Sequence, residues 1–242
     1  MQAEHTAAGN FEIIQPEHTA AGNCETSRPD HTATGNGEIA RPEYITTGNI
    51  ICVTQRRLCS NFLDQLERIA RAHPRQIILR EKDMLPSDYE SLLIQCRKIC
   101  DAHGVPLFAH TFMDTARRSG VKKIHLPLPL LKALGHRPDG FEIVGTSIHT
   151  PEEALMAETL GADYVTAGHI FATDCKRGLP GRGLDFLRDV CGSTSLPVYA
   201  IGGITPQNMP KIMAVGAAGG CMMSSLMTAE DPEEFLAELL PR

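Results

Sequence analysis

No apolar run in this chain approaches the roughly 18 residues that a membrane-spanning helix requires, and the N-terminus has neither the basic nor the apolar block of a secretory leader. The expectation is a soluble, cytoplasmic protein with no membrane partner. No CxxC pair occurs among the eight cysteines, Cys24, Cys52, Cys59, Cys96, Cys100, Cys175, Cys191 and Cys221. Several of them sit in strand-like or helix-like apolar stretches, which points to reduced, structural thiols. There is no dense Lys/Arg block either, and the net charge is -6, so nucleic acid is excluded as a partner. A small anionic ligand would need only a local positive site. The glycine fingerprint of dinucleotide-binding sheets is missing after the first apolar strand.

What is present is 242 residues, 42% of them hydrophobic and 21% charged, enough to bury a substantial core in one main domain. The first fifty residues repeat: EHTAAGN starts at Glu4 and at Glu17, DHTATGN at Asp30 and EYITTGN at Glu43, at a spacing of 13. These units are poor in large apolar groups, so one has little to bury against the next. Residues 1–48 therefore read as a disordered, solvated tail. Its regularly placed His5, His18 and His31 could bind a metal only if something held them together, and nothing in the sequence does. The folded domain is expected over residues 49–242, beginning near Gly48.

From Ile50 onward, IICVT, QIILR, PLFAH, KIHL, FEIVGTS, DYVTAG, PVYAIGG and GGCMMS each precede a helix candidate. Continuous apolar runs are the mark of strands buried on both faces, and alternating βα units imply a parallel sheet. Eight units predict the α/β class in its (β/α)₈ TIM-barrel form, with an open doubly wound sheet as the alternative. Ser87 with Glu90 and Thr150 with Glu153 are candidate capping boxes. Thr150-Pro151, Thr205-Pro206 and Asp231-Pro232 each offer a cap followed by proline at the first helical position.

Such barrels build their sites at the C-terminal ends of the strands. There the sequence places Arg80-Glu81-Lys82, His110, Ser147-Ile148-His149, and Gly168-His169 with the loop FATDCKRGLPGRG. Period two puts Arg80 and Lys82 on one face and Glu81 on the other. Gly202-Gly203 before Thr205-Pro206, with Ser224-Ser225 after the last strand, matches the phosphate cradle that recurs after strands seven and eight; Lys176 or Arg177 could add charge. A glycine pair also serves a plain tight turn, and His149 serves equally well as a partner for the helix cap at Thr150. His125, within KIHLPLPLL, reads as a satisfied core residue, and His110 and His169 as weak candidates. Cys175 has no histidine beside it in sequence and is left out of the chemistry.

Four ordered motifs, LREK, SIHTPEEA, GADYVTAGHIFATDCKRGLPGRG and AIGGITPQN, resemble the thiamine phosphate synthase superfamily over about Ile50 to Leu240. Synthases of that superfamily join a pyrimidine pyrophosphate to a thiazole phosphate and hold magnesium with an aspartate after strand three and another in a His-Leu-Gly-Gln-x-Asp motif after strand four. Here the first place is His110-Thr111 and the second reads His125-Leu126-Pro127-Leu128-Pro129-Leu130, while Ile78 replaces the glutamine that precedes Leu-Arg-Glu-Lys. The loop GHIFATDCKRGLPGRG resembles that of the thiazole tautomerases, which aromatise a carboxythiazole phosphate by moving one proton. That resemblance implies His149 as the catalytic group. It also implies a phosphorylated thiazole held by Arg80, Lys82, Ser147, Thr173, Lys176, Gly203, Ser224 and Ser225, with no cofactor and no metal. A magnesium-using synthase and a non-catalytic sensor of thiazole or thiamine phosphate stand as alternatives. The oligomeric state is open, and a homo-oligomer is compatible with the sequence.

Overall fold

The computed structural model describes residues 46–173, 176 and 178–238. Residues 1–45 of the repetitive segment, with His5, His18, His31 and Cys24, lie outside them, as do Cys175 and Arg177. Eight parallel strands close a barrel in the order of the chain: β1 Ile50–Val53, β2 Gln76–Leu79, β3 Leu107–His110, β4 Lys123–Pro127, β5 Ile143–Ile148, β6 Tyr164–Gly168, β7 Val198–Ile201 and β8 Gly219–Met222. All eight apolar runs singled out in the sequence are strands, and β1 pairs with β8 to close the ring. The open-sheet alternative is thereby excluded.

Around the ring stand α1 Phe62–Arg71, α2 Pro86–Ala102, α3 Met113–Arg118, α4 Leu128–Leu134, α5 Pro151–Thr159, α6 Gly183–Ser193, α7 Met209–Ala214, α8 Ser224–Met227 and α9 Pro232–Ala237. Thr150 caps α5 by accepting the Glu153 amide at 3.1 Å, and Asp231 caps α9 by accepting the Glu233 and Glu234 amides. Two expected caps are corrected. The N-cap of α2 is Leu85, with Pro86 behind it and no side-chain cap, so Ser87 lies inside the first turn; proline's fixed φ starts the helix one residue before the serine could cap it. Thr205 does not cap α7, which starts after Asn208. Asn208 Oδ1 instead accepts the Thr205 amide at 2.9 Å and closes a turn there.

Alternation along the strands divides the core in two. Outward residues such as Ile50, Cys52, Ile77, Leu79 and Val144 pack beneath the helices. Inward residues Ile51, Val53, Ile78, Phe108, Tyr164, Tyr199 and Cys221 fill the barrel. Tyr164 lies edge-on to both Phe108 and Tyr199 with centroids 5.8 Å apart, a geometry worth roughly 0.5–1.5 kcal/mol per pair beyond burial. Gly145 makes room for it, since a Cβ there would sit 2.1 Å from the Tyr164 ring. Among the described residues six cysteines are free thiols, and no helix is long and apolar enough to cross a membrane.

Candidate active site

The C-terminal ends of the strands open into a cavity of about 980 Å³. Nine residues that the sequence nominated line it: Arg80, Lys82, Ser147, His149, Thr173, Lys176, Gly203, Ser224 and Ser225. Strand parity explains most of this convergence, because positions 80, 110, 125, 147 and 166 continue the inward-facing sets of β2 to β6.

Glu81 faces away from the cavity, as period two requires. It is buried and accepts Thr54 Oγ1 at 2.7 Å, the Arg56 amide at 2.9 Å and Arg56 Nη1 at 3.1 Å. Arg56 also forks onto Asp83 at 2.6 and 2.7 Å, and these hydrogen bonds hold the Asp83 carboxyl down at about 2. The β2 end is thus clamped to the β1 loop from behind, which fixes where Arg80 and Lys82 leave the strand. Burial, then the neighbouring Arg80 charge, lowers the pKa of Lys82.

His110 and His125 stack at the floor with centroids 5.9 Å apart and planes 18° apart. Burial is the main reason both stay neutral. It lowers His110 to about 2, helped by His125, Arg80 and Lys82, and it lowers His125 to about 3, helped by Arg80. His110 Nδ1 meets Thr111 Oγ1 at 2.7 Å. Thr111 itself has φ 68, a left-handed conformation that is uncommon for a β-branched residue and characteristic of constrained sites. The reading of His125 as a plain core residue is corrected in part: it is buried and hydrogen-bonded, yet its ring also lines the cavity. His110 and His169 line it too. Inward parity on β3 and β4 was the signal that could have found the first two.

His149 follows β5 at the cavity rim. Glu153 Oε2 accepts its amide at 2.5 Å and lies 3.6 Å from its Nδ1, while Arg182 Nη1 donates to its carbonyl at 2.6 Å. Glu153 therefore completes its half of the capping box on His149 rather than on Thr150. Partial burial lowers the His149 pKa; Glu153 opposes this, and Lys176 and Arg182 reinforce it. On the other side, Gly202 and Gly203 have φ of 100 and 64. A Cβ on Gly203 would lie 2.5 Å from the Ala172 carbonyl oxygen, so the turn admits no side chain. Asn208 Nδ2 holds the Gly203 carbonyl at 2.7 Å. His169 packs against Gly202, with its Nδ1 buried and lacking a partner among the described residues.

Among the described lining residues the only carboxylate is Glu153, and no group of three or more metal-ligating side chains occurs among the described residues. Magnesium prefers carboxylate oxygens. At the two places where the resemblance would put its aspartates stand a neutral imidazole with a threonine and, at the end of the second motif, Leu130 in α4. Those positions do not fit the ion.

A closed parallel barrel with a cleft that gathers cations, imidazoles and glycine turns at its strand ends is the architecture of a (β/α)₈-barrel enzyme. The chain belongs to the thiamine monophosphate synthase (TMP-TENI) family, whose model matches residues 50–226. It is 35% identical over 179 residues to thiamine-phosphate synthase 2 of Streptococcus pneumoniae, covering 72% of this chain and 83% of that one. It is 37% identical over 175 residues to the thiamine-phosphate synthase of Methanocella arvoryzae, covering 69% and 81%. Among solved structures it is similar to a thiamine phosphate pyrophosphorylase from Pyrococcus furiosus, with a TM-score of 0.69 and 27% identity over 80% of this chain and 94% of that one.

Proposed function

We propose that this barrel is a thiazole tautomerase of thiamine biosynthesis, aromatising a carboxythiazole phosphate by acid–base proton transfer. The observation that carries the reading is His149, its backbone held by Glu153 and Arg182 and its imidazole 3.6 Å from Glu153, at a cavity whose only described carboxylate is that same Glu153. In this reaction one proton leaves a ring carbon and one is returned to the exocyclic carbon, so nothing is gained or lost overall. A single imidazole suits both halves, because its ordinary pKa near 6.5 lets it take and give a proton near neutrality. Partial burial, with Lys176 and Arg182 nearby, keeps it free to act first as the base.

The substrate is anionic at both ends, and the cavity is shaped for that. Gly203, Ser224 and Ser225, with Thr173 and Lys176 of the loop that follows Ala172, take the phosphate. The bare glycine backbone allows close approach, and the first turn of α8 offers its amides. Arg80 and Lys82 take the carboxylate. Two anchors hold the ring between them against His149, and such positioning converts binding into orientation.

His149→Gln is expected to lower kcat about 10²–10⁴-fold while phosphate binding persists, read by NMR with the tautomer and no added metal. An unchanged rate removes His149 from the mechanism. The names of the relatives favour a second reading, a thiamine-phosphate synthase. Pyrophosphate release from a pyrimidine pyrophosphate and a thiazole phosphate in the presence of magnesium would establish it. Binding of the thiazole phosphate with turnover in neither assay would instead support a ligand sensor.

A further inference from the structure

From the barrel interior up to the cavity lining runs a polar chain that the proton transfer does not use. Gln76 Nε2 donates to Tyr164 Oη at 2.8 Å, Tyr164 Oη meets His125 Nδ1 at 3.0 Å, and His125 Nε2 meets Ser147 Oγ at 2.8 Å. Thr166 Oγ1 donates to the same Ser147 oxygen at 3.0 Å. Gln76, Tyr164, His125 and Thr166 are all buried.

The chain has a direction, and its first link sets it. A phenolic oxygen that accepts from Gln76 has its own proton to place, and His125 Nδ1 is the acceptor in reach. A neutral imidazole that accepts at Nδ1 carries its hydrogen on Nε2, which then donates to Ser147. With His125 and Thr166 both donating to it, the Ser147 oxygen has used its lone pairs. Its own hydrogen is left to point into the cavity, which Ser147 lines. If the Gln76 amide were reversed, every link would reverse too, and Ser147 would donate to His125 and give the cavity nothing.

We propose that Tyr164 and His125 are positioning residues: they fix the Ser147 hydroxyl as a hydrogen-bond donor aimed at the ligand carboxylate beside Arg80 and Lys82. The ligand half of this rests on the functional reading above; the direction of the chain does not. A network with every member satisfied holds its end group in one orientation, so that the donor is ready before the ligand arrives.

Long-range ¹H–¹⁵N NMR of the ligand-free protein labelled at histidine is the first test. His125 is expected as the tautomer with hydrogen on Nε2 and a bare Nδ1, and a hydrogen on Nδ1 overturns the proposal. In Tyr164→Phe the fixed tautomer is expected to give way to a mixture, and KM for the carboxythiazole phosphate to rise about tenfold or more with kcat little changed, since the lost donor meets a charged group. His125→Gln, which keeps an amide donor where Nε2 stood, is expected to hold KM closer to the wild type than His125→Leu does. Equal KM values in wild type, Tyr164→Phe and Ser147→Ala overturn the aiming role even if all three fold. If the wild type neither binds nor turns over this compound, the functional reading and the ligand half of the proposal fail together, whereas the tautomer result still decides the chain's direction.

Discussion

Acidification should destabilise this barrel through its two floor histidines before most carboxylates begin to titrate. His110 and His125 are buried, with pKa values of about 2 and about 3 in place of the ordinary 6.5. Because both values are depressed on folding, the native state holds the rings neutral while the unfolded chain protonates them below pH 6.5. Their contribution is therefore complete above pH 6.5 and is lost as pH falls, down to about 3 for His125 and about 2 for His110. At pH 5 each ring, taken singly, costs about 1.5 times 1.36 kcal/mol, or about 2 kcal/mol. Urea unfolding at about pH 7, 6 and 5, read by circular dichroism, measures this directly. His125→Gln cannot take up the proton, so its stability should fall between pH 7 and 5 by about 2 kcal/mol less than that of the wild type. An identical fall in the two proteins would show that His125 is not held neutral by its surroundings, and would refute the reasoning from burial.

Two further perturbations test the frame of the cavity. Gly203→Ala places a Cβ 2.5 Å from the Ala172 carbonyl oxygen at a φ of 64, so the turn must shift; affinity for the phosphorylated thiazole, read by calorimetry, should fall at least about tenfold, and unchanged affinity would remove this turn from the phosphate cradle. Arg56→Ala leaves Glu81 buried with only Thr54 and one amide to meet its charge, and should cost about 2 kcal/mol in urea unfolding, with part recovered in Arg56→Lys. No loss would mean that the pair behind β2 does not hold Arg80 and Lys82 in place.

By itself the sequence determined the barrel and the list of residues at its mouth. Eight apolar runs separated by helix-length segments allow few topologies, and the period-two alternation on each strand already places Arg80, Lys82 and Ser147 inward. The helix starts were less legible. Pro86 overrode Ser87 as the start of α2, and Asn208 took the place expected of Thr205, because a cap is decided by where the backbone turns as well as by which side chain could bond.

Closure of the ring decided what no single strand could express. Gln76 on β2 and Tyr164 on β6 are 88 positions apart in the chain, and they meet only because a closed eight-stranded barrel brings opposite strands together across its interior. His125 looked like a core residue because its neighbours are Ile124 and Leu126; its partners, Tyr164 and Ser147, come from other strands. Shear between strands sets which inward residues share a layer, and that layer, unreadable from composition or spacing, is what sets a histidine beneath Ser147 and a tyrosine beneath the histidine.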